Sequence, residues 1–89
     1  MIKIGIVGFG YWGKNLVRNF YNLKSCHIKY VCDNNKHNAQ KCLSLYPNIS
    51  IETDYSILLT DKEIDAIVIA TPVDTHFLLS KLALEAGKH

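Results

Sequence analysis

The chain opens on IKIGIVG, a short, β-branched and almost wholly apolar run interrupted by Lys3 and Gly5. Such a run suits a strand buried on both faces of a parallel sheet. Glycines end it, and from Tyr11 the period lengthens. Leu16, Val17, Phe20 and Leu23 fall on one helical face, with Lys14, Arg18, Asn19 and Asn22 on the other. HIKYVCD is a second strand, with Ile28, Tyr30 and Cys32 expected on one side and Val31 on the other. It stops at Asp33-Asn34-Asn35, residues that favour turns and helix caps. Ala39, Cys42, Leu43 and Tyr46 then repeat the helical spacing until Pro47, which pushes the residue before it out of helical dihedrals.

A brief strand over 49–53 leads to Asp54, a cap for a short helix reaching Leu59. Thr60 and Glu63 have capping-box spacing for one further turn. DAIVIATP makes a fourth strand, closed by Pro72. Leu78, Leu79, Leu82, Ala83 and Ala86 form the stripe of a last helix, and Gly87 sits where a left-handed cap is wanted. The expected order is β-α-β-α-β-α-β-α. Strands alternating with right-handed helical crossovers define an α/β class, a parallel sheet with helices on both faces.

Length and composition narrow this reading. With 89 residues, 48% of them hydrophobic, the chain has room for one small domain and no second. Its longest apolar stretch, residues 66–70, falls far short of the roughly 20 that a membrane helix requires. Lys3 and Gly5 also break any signal-peptide pattern, so we expect a cytoplasmic protein with no membrane partner. Cys26, Cys32 and Cys42 leave one thiol unpaired under any scheme, which fits a reducing compartment. Together with His27 and His37 they match no usual zinc spacing, and buried thiols are the simpler account.

Net charge is +2 but uneven: seven Lys/Arg stand against Asp33 alone through residue 51, and three stand against seven acids thereafter. A basic first half could favour an anionic ligand, although solvated helix faces explain it more simply. Basic clusters interleaved with aromatics are missing, so no nucleic-acid partner is expected.

Gly8, Gly10 and Gly13 form G-x-G-x-x-G, a weak pattern alone. Here a strand precedes it, a helix follows it, and Asp33 lies twenty residues past Gly13 at the end of the second strand. Gly8 permits a sharp turn, Gly10 removes a side chain so that backbone can approach a pyrophosphate, and Gly13 lets helix pack close on strand. The first helical N–H groups, around Tyr11 and Trp12, would then face two phosphates with the helix dipole behind them. The alternative is a glycine turn that merely tightens a β-α corner.

Asp33 can accept hydrogen bonds from a ribose diol and repels a 2′-phosphate, and Asn34 and Asn35 provide no arginine to neutralise one. NAD is therefore favoured over NADP, although Lys36 could meet a phosphate as a point charge. The fourth strand ends at Ala70-Thr71-Pro72, where ligands lie in this topology, so Thr71 is expected to border the cofactor. His76 opens the last helix beside it and is read as lining the cofactor rather than transferring protons.

Taken together, GFGYWGKNLVRNF, the aspartate in VCDNN, TDYSILLTDKEIDAIVIATP and HFLLSKLALEAGKH resemble the glucose-fructose oxidoreductase, inositol dehydrogenase and MocA-like family of nicotinamide-dependent oxidoreductases. The resemblance runs through essentially the whole chain, and ATP-x-x-x-H and AGKH are its most specific pieces. It implies a Rossmann-type domain, which family members follow with a larger α/β domain that binds sugars, polyols or sugar nucleotides and often builds the oligomer. It also implies that Gly8, Gly10, Tyr11, Trp12 and Gly13 surround the pyrophosphate. Asp33, with Asn34 beside it, would meet the ribose, and Thr71, Pro72 and His76 the nicotinamide side.

In the family, AGKH leads into a fifth strand and a Glu-Lys-Pro motif whose lysine takes part in proton transfer; Lys88 is not that lysine. Residues 1–89 are thus expected to be a partial Rossmann domain, cut before strand five and without the substrate domain. The intact protein would be a homo-oligomer moving hydride between NAD and a hydroxyl of a sugar, polyol or nucleotide sugar, and these 89 residues alone would not catalyse. A reading from another class is a non-catalytic NAD-sensing regulatory module, although such modules do not usually show ATP-x-x-x-H followed by AGKH.

Overall fold

The computed structural model describes residues 2–70 and 73–89, the side chains of Tyr11, Trp12 and residues 73–78 excepted. Eight elements alternate in the expected order: β1 (Ile2–Val7), α1 (Tyr11–Tyr21), β2 (Cys26–Cys32), α2 (Lys36–Leu45), β3 (Ser50–Glu52), α3 (Tyr55–Thr60), β4 (Ala66–Ile69) and α4 (Val73–Glu85). All strand pairs are parallel, in the order β3-β2-β1-β4. The chain reverses its direction of travel across the sheet between β1 and β4, which opens a crevice at the carboxyl ends of those strands.

Helices cover both faces because β1 and its neighbours are apolar on both. Ile4 and Ile6 of β1 pack with Val17 and Phe20 of α1, Cys42 of α2, and Ala66 and Val68 of β4. Val7 and Cys32 turn the other way, onto Leu58 and Tyr55 of α3, Ile67 of β4 and Leu79 of α4. Ile6, Val17, Val31, Cys42 and Leu58 are fully buried, and an aliphatic side chain in such a place stabilises the fold by about 1.5–3 kcal/mol. On the α3 face Gly5 leaves room for Leu58: a methyl there would stand 2.7 Å from Leu58 Cδ2, and that side chain would have to shift.

The side assignment within β2 needs correction. Register shifts between Ile4 and Gly5, whose partners are Ile28 and Tyr30, so Lys29 is the inserted residue of a bulge. An extra residue inverts the alternation beyond it. Ile28 therefore shares the α1 and α2 face with Val31, while Tyr30 and Cys32 face α3 and α4.

Four helical expectations also shift. Leu23 lies past the end of α1 and is half exposed, and Leu43 of α2 points to solvent. Thr60 makes no capping box, because its hydroxyl donates back to the Ser56 carbonyl at 2.9 Å. Asp61 instead accepts the Glu63 N–H at 2.8 Å in a turn that does not become a helix. Ala86 falls outside α4 and is exposed, and Ala83 is the buried residue of that end. Gly87 takes φ +78, with its N–H bonded to the Leu84 carbonyl and the Lys88 N–H to the Ala83 carbonyl. That pair of bonds is a Schellman cap, as its position predicts.

Lys88 is buried and structural: its ammonium donates to the carbonyls of Asp61 and Ile64 in the loop before β4. Nearby, Lys29 Nζ lies 2.6 Å from Asp61 Oδ2 and 2.9 Å from Glu63 Oε2, and Lys3 Nζ lies 3.3 Å from Glu63 Oε1. Lysines of the first half thus pair with acids of the second, which absorbs part of the uneven charge. The Lys29 ammonium, then the Tyr30 hydroxyl and the Glu63 N–H, hold the Asp61 carboxyl well below the usual carboxylate range. All three cysteines are free thiols, and burial pushes Cys32 and Cys42 up to about 11. Among the described residues no helix is long and apolar enough to cross a membrane, and no three or more His, Cys, Asp or Glu gather as metal ligands.

Candidate dinucleotide-binding site

The β1–α1 loop leaves the sheet at Gly8, whose φ of +101 lies in the region that favours glycine. Gly8 N–H donates to the Cys32 carbonyl at 2.7 Å, which keeps the turn against the end of β2. Phe9 buries its ring in the core on the α1 side and anchors the loop there. Gly10 is the N-cap of α1, in extended backbone with φ −78 and ψ −154, and its carbonyl accepts the Lys14 N–H at 3.0 Å. A glycine cap supplies no side-chain acceptor, and the first turn carries no acid. The leading N–H groups of α1, from Tyr11 to Gly13, are those that the helix itself cannot satisfy.

The two later glycines differ physically. A methyl at Gly13 would collide with the Gly8 carbonyl, whose carbon would lie 2.7 Å away, and would stand 3.8 Å from Ala70 Cβ. The close approach is therefore between α1 and the turn itself, beside the end of β4. At Gly10 a methyl would meet nothing within 4 Å. Open space, a bare cap and uncompensated N–H groups with the positive helix end behind them fit an anionic group such as a diphosphate.

Asp33 follows β2, its backbone N–H on the Glu52 carbonyl. Its Oδ2 accepts the Phe9 N–H at 2.8 Å and Asn38 Nδ2 at 3.2 Å, and its Oδ1 accepts the Asn35 N–H at 2.8 Å. One carboxylate thus ties the glycine loop to the start of α2. Asn35 caps that helix through Oδ1, which accepts the N–H groups of His37 and Asn38. Neither the Phe9 bond nor Asn38 was foreseen from sequence. The single available signal is that Asn38 lies three residues into a helix capped at Asn35, which returns its side chain toward the preceding turn.

The structure brings Gly8, Gly10, Gly13 and Asp33 together, with Asn34 exposed at the adjoining bend. Ala70 N–H bonds to the Val7 carbonyl at 2.8 Å, so the end of β4 reaches the same rim. Tyr11 and Trp12 contribute backbone in the first turn of α1, and His76 lies within α4; their side chains are outside the described residues, as are Thr71 and Pro72 altogether. A separate open hollow of about 500 Å³, lined by Leu59, Lys62, Asp65 and His89 among others, contains none of these residues.

A parallel β-α-β sheet with this loop and acid defines a nucleotide-binding domain of the Rossmann type. Residues 2–89 match the Gfo/Idh/MocA family, described as an oxidoreductase family with an NAD-binding Rossmann fold, and the chain belongs to that family. It is 34% identical over 88 residues to the uncharacterized oxidoreductase YdgJ of Escherichia coli K12, a match covering 99% of this chain and 25% of the relative. Scyllo-inositol dehydrogenase of Lactobacillus casei, solved with NAD(H) and scyllo-inositol, superposes with a TM-score of 0.87 at 26% identity, covering 100% of this chain and 26% of the enzyme. Biliverdin reductase of Synechocystis, solved with biliverdin and NADP+, gives 0.90 at 28% identity, covering 99% and 28%. The chain spans a quarter or less of the length of the curated relatives it matches first. Similar chains thus hold either nicotinamide dinucleotide.

Proposed function

We propose that this chain binds NAD, with the backbone of Gly8, Gly10, Tyr11, Trp12 and Gly13 around the pyrophosphate and Asp33, beside Asn34, at the adenine ribose. Thr71, Pro72 and His76 border the nicotinamide side. The observation that carries the reading is the open space over Gly10 at an uncapped helix start, joined through Phe9 N–H to the Asp33 carboxylate. Asp33 presents its negative charge toward a 2′-phosphate, and Asn38, the side chain bonded to it among the described residues, is neutral. NADP is accordingly the weaker ligand.

In the intact protein this domain serves an oxidoreductase acting on a sugar, polyol or nucleotide-sugar hydroxyl, with the substrate cradle and oligomer contacts supplied by residues outside 1–89. When bound, the dinucleotide supplies the ring that carries the hydride. The residues here hold it in place, and hydride transfer further requires an oriented substrate and an acid or base. Calorimetric titration of the chain with NAD and with NADP tests the reading. We expect saturable binding tighter for NAD; no binding of either overturns it. Reduced-cofactor absorbance with a panel of polyols and nucleotide sugars should stay flat, and turnover by these 89 residues would overturn the division of labour.

A further inference from the structure

Asp33 has more protein partners than a ribose acid needs. Oδ2 already receives two donors, Phe9 N–H and Asn38 Nδ2, while Oδ1 receives one, Asn35 N–H. A carboxylate offers about four lone-pair directions, so the remaining capacity lies on Oδ1. Asn38 is well placed to impose this. It is half-buried, its own N–H is held by Asn35 Oδ1 at 3.2 Å, and only the amide nitrogen can face a carboxylate, which settles the orientation of its side chain. Its amide is also neutral. A lysine or arginine there would lock the carboxylate equally well but cancel its charge.

We propose that Asn38 is a positioning residue that sets dinucleotide preference: by clamping Asp33 Oδ2 it presents Oδ1 to a ribose hydroxyl and keeps an uncancelled negative charge where a 2′-phosphate would sit. The inference rests on the dinucleotide reading above and goes beyond it, to a residue that need not touch the ligand. Without the amide, each carboxylate oxygen keeps one backbone donor, Phe9 N–H on Oδ2 and Asn35 N–H on Oδ1, and the carboxylate has a wider range of tilt. Its bond to the ribose then weakens, and the carboxylate can turn away from a phosphate.

The test titrates NAD and NADP separately into the full chain and into Asn38→Ala, Asn38→Leu and Asn38→Gln, with a thermal melt of each. Loss of one charge-assisted bond should weaken NAD by about tenfold in the Ala and Leu variants, with NADP unchanged or tighter, so the preference narrows. Asn38→Gln retains a donor and should stay closer to the wild-type ratio; it carries the test if the others melt below the assay temperature. A purely structural role would weaken both ligands in proportion, and an unmoved NAD to NADP ratio in the folded variants overturns the proposal alone. Wild-type chain that binds neither dinucleotide overturns both it and the function on which it rests.

Discussion

Gly10 and Gly13 sit three residues apart in one motif, and the structure separates their duties sharply enough for a paired substitution to test the site. At Gly10 the backbone, φ −78 and ψ −154, is open to any L residue, and an added methyl meets nothing within 4 Å. Replacing glycine by alanine gains about 0.4–1 kcal/mol by restricting the unfolded chain. Alanine is the poorer N-cap by a comparable amount, so Gly10→Ala should leave stability within about 0.5 kcal/mol of wild type. Its cost falls on the ligand. In the proposed placement the methyl would fill the space through which phosphate oxygens approach the α1 amides, and losing one charge-assisted hydrogen bond costs about 1.5–3 kcal/mol, or about 10–100-fold in Kd. Gly13→Ala is the converse: its methyl collides with the Gly8 carbonyl, which is backbone and cannot swing aside, and it should cost about 3 kcal/mol or more in folding. Calorimetry with NAD and urea unfolding on both variants make the assay. Gly10→Ala that binds NAD like wild type would refute the placement of the diphosphate, and Gly13→Ala that folds unchanged would refute the packing argument.

Three other outcomes follow from the opposite end of the sheet and from the core. Asp61 has a folded pKa depressed by Lys29, Tyr30 and the Glu63 N–H, so its contribution is present above the unfolded carboxylate value of about 4. As pH falls below that value the unfolded state takes up the proton first, and the contribution is lost on the way down to the folded pKa. Urea unfolding from pH 7 to pH 2 should show this decline, and Asp61→Asn should flatten it; an equal slope in the variant would rule out the pairing. Lys88→Met leaves the buried Ile64 carbonyl without the Lys88 ammonium, while the Asp61 carbonyl keeps the Ile64 N–H, and should destabilise by about 1–3 kcal/mol, read as a lowered urea midpoint. In thiol labelling of the folded chain, half-exposed Cys26 should react first, while Cys32 and Cys42, buried and shifted up to about 11, should lag even at pH 9; simultaneous labelling of all three would contradict the burial.

Much of this architecture could be read from local pattern. The change of period at Tyr11, the caps at Asn35 and Asp54, and Gly87 past the last helix are short-range signals, and each appears where its chemistry predicts. The bulge at Lys29 could not be read, because an inserted residue leaves no mark on a strand that is apolar toward both faces. Its effect is large: it decides which core Ile28 and Tyr30 join. Leu23 and Leu43 mislead for a related reason. Helical spacing reports which residues share a face, but not whether the neighbouring element extends far enough to cover it.

Chain order alone therefore settled that four strands alternate with four helices and that a glycine loop and an acid meet at one rim, since turn, cap and period are properties of neighbouring residues. Tertiary contact decided the rest: that Gly13 is barred from a side chain by the Gly8 carbonyl whereas Gly10 is not, and that Asp33 joins Phe9 to Asn38. It also decided that Lys29 and Lys3 meet acids some sixty residues or half that distance along the chain. Steric exclusion and hydrogen bonding act over a few ångströms of space, and which residues come within that reach is set by how the sheet closes, not by their spacing in the chain.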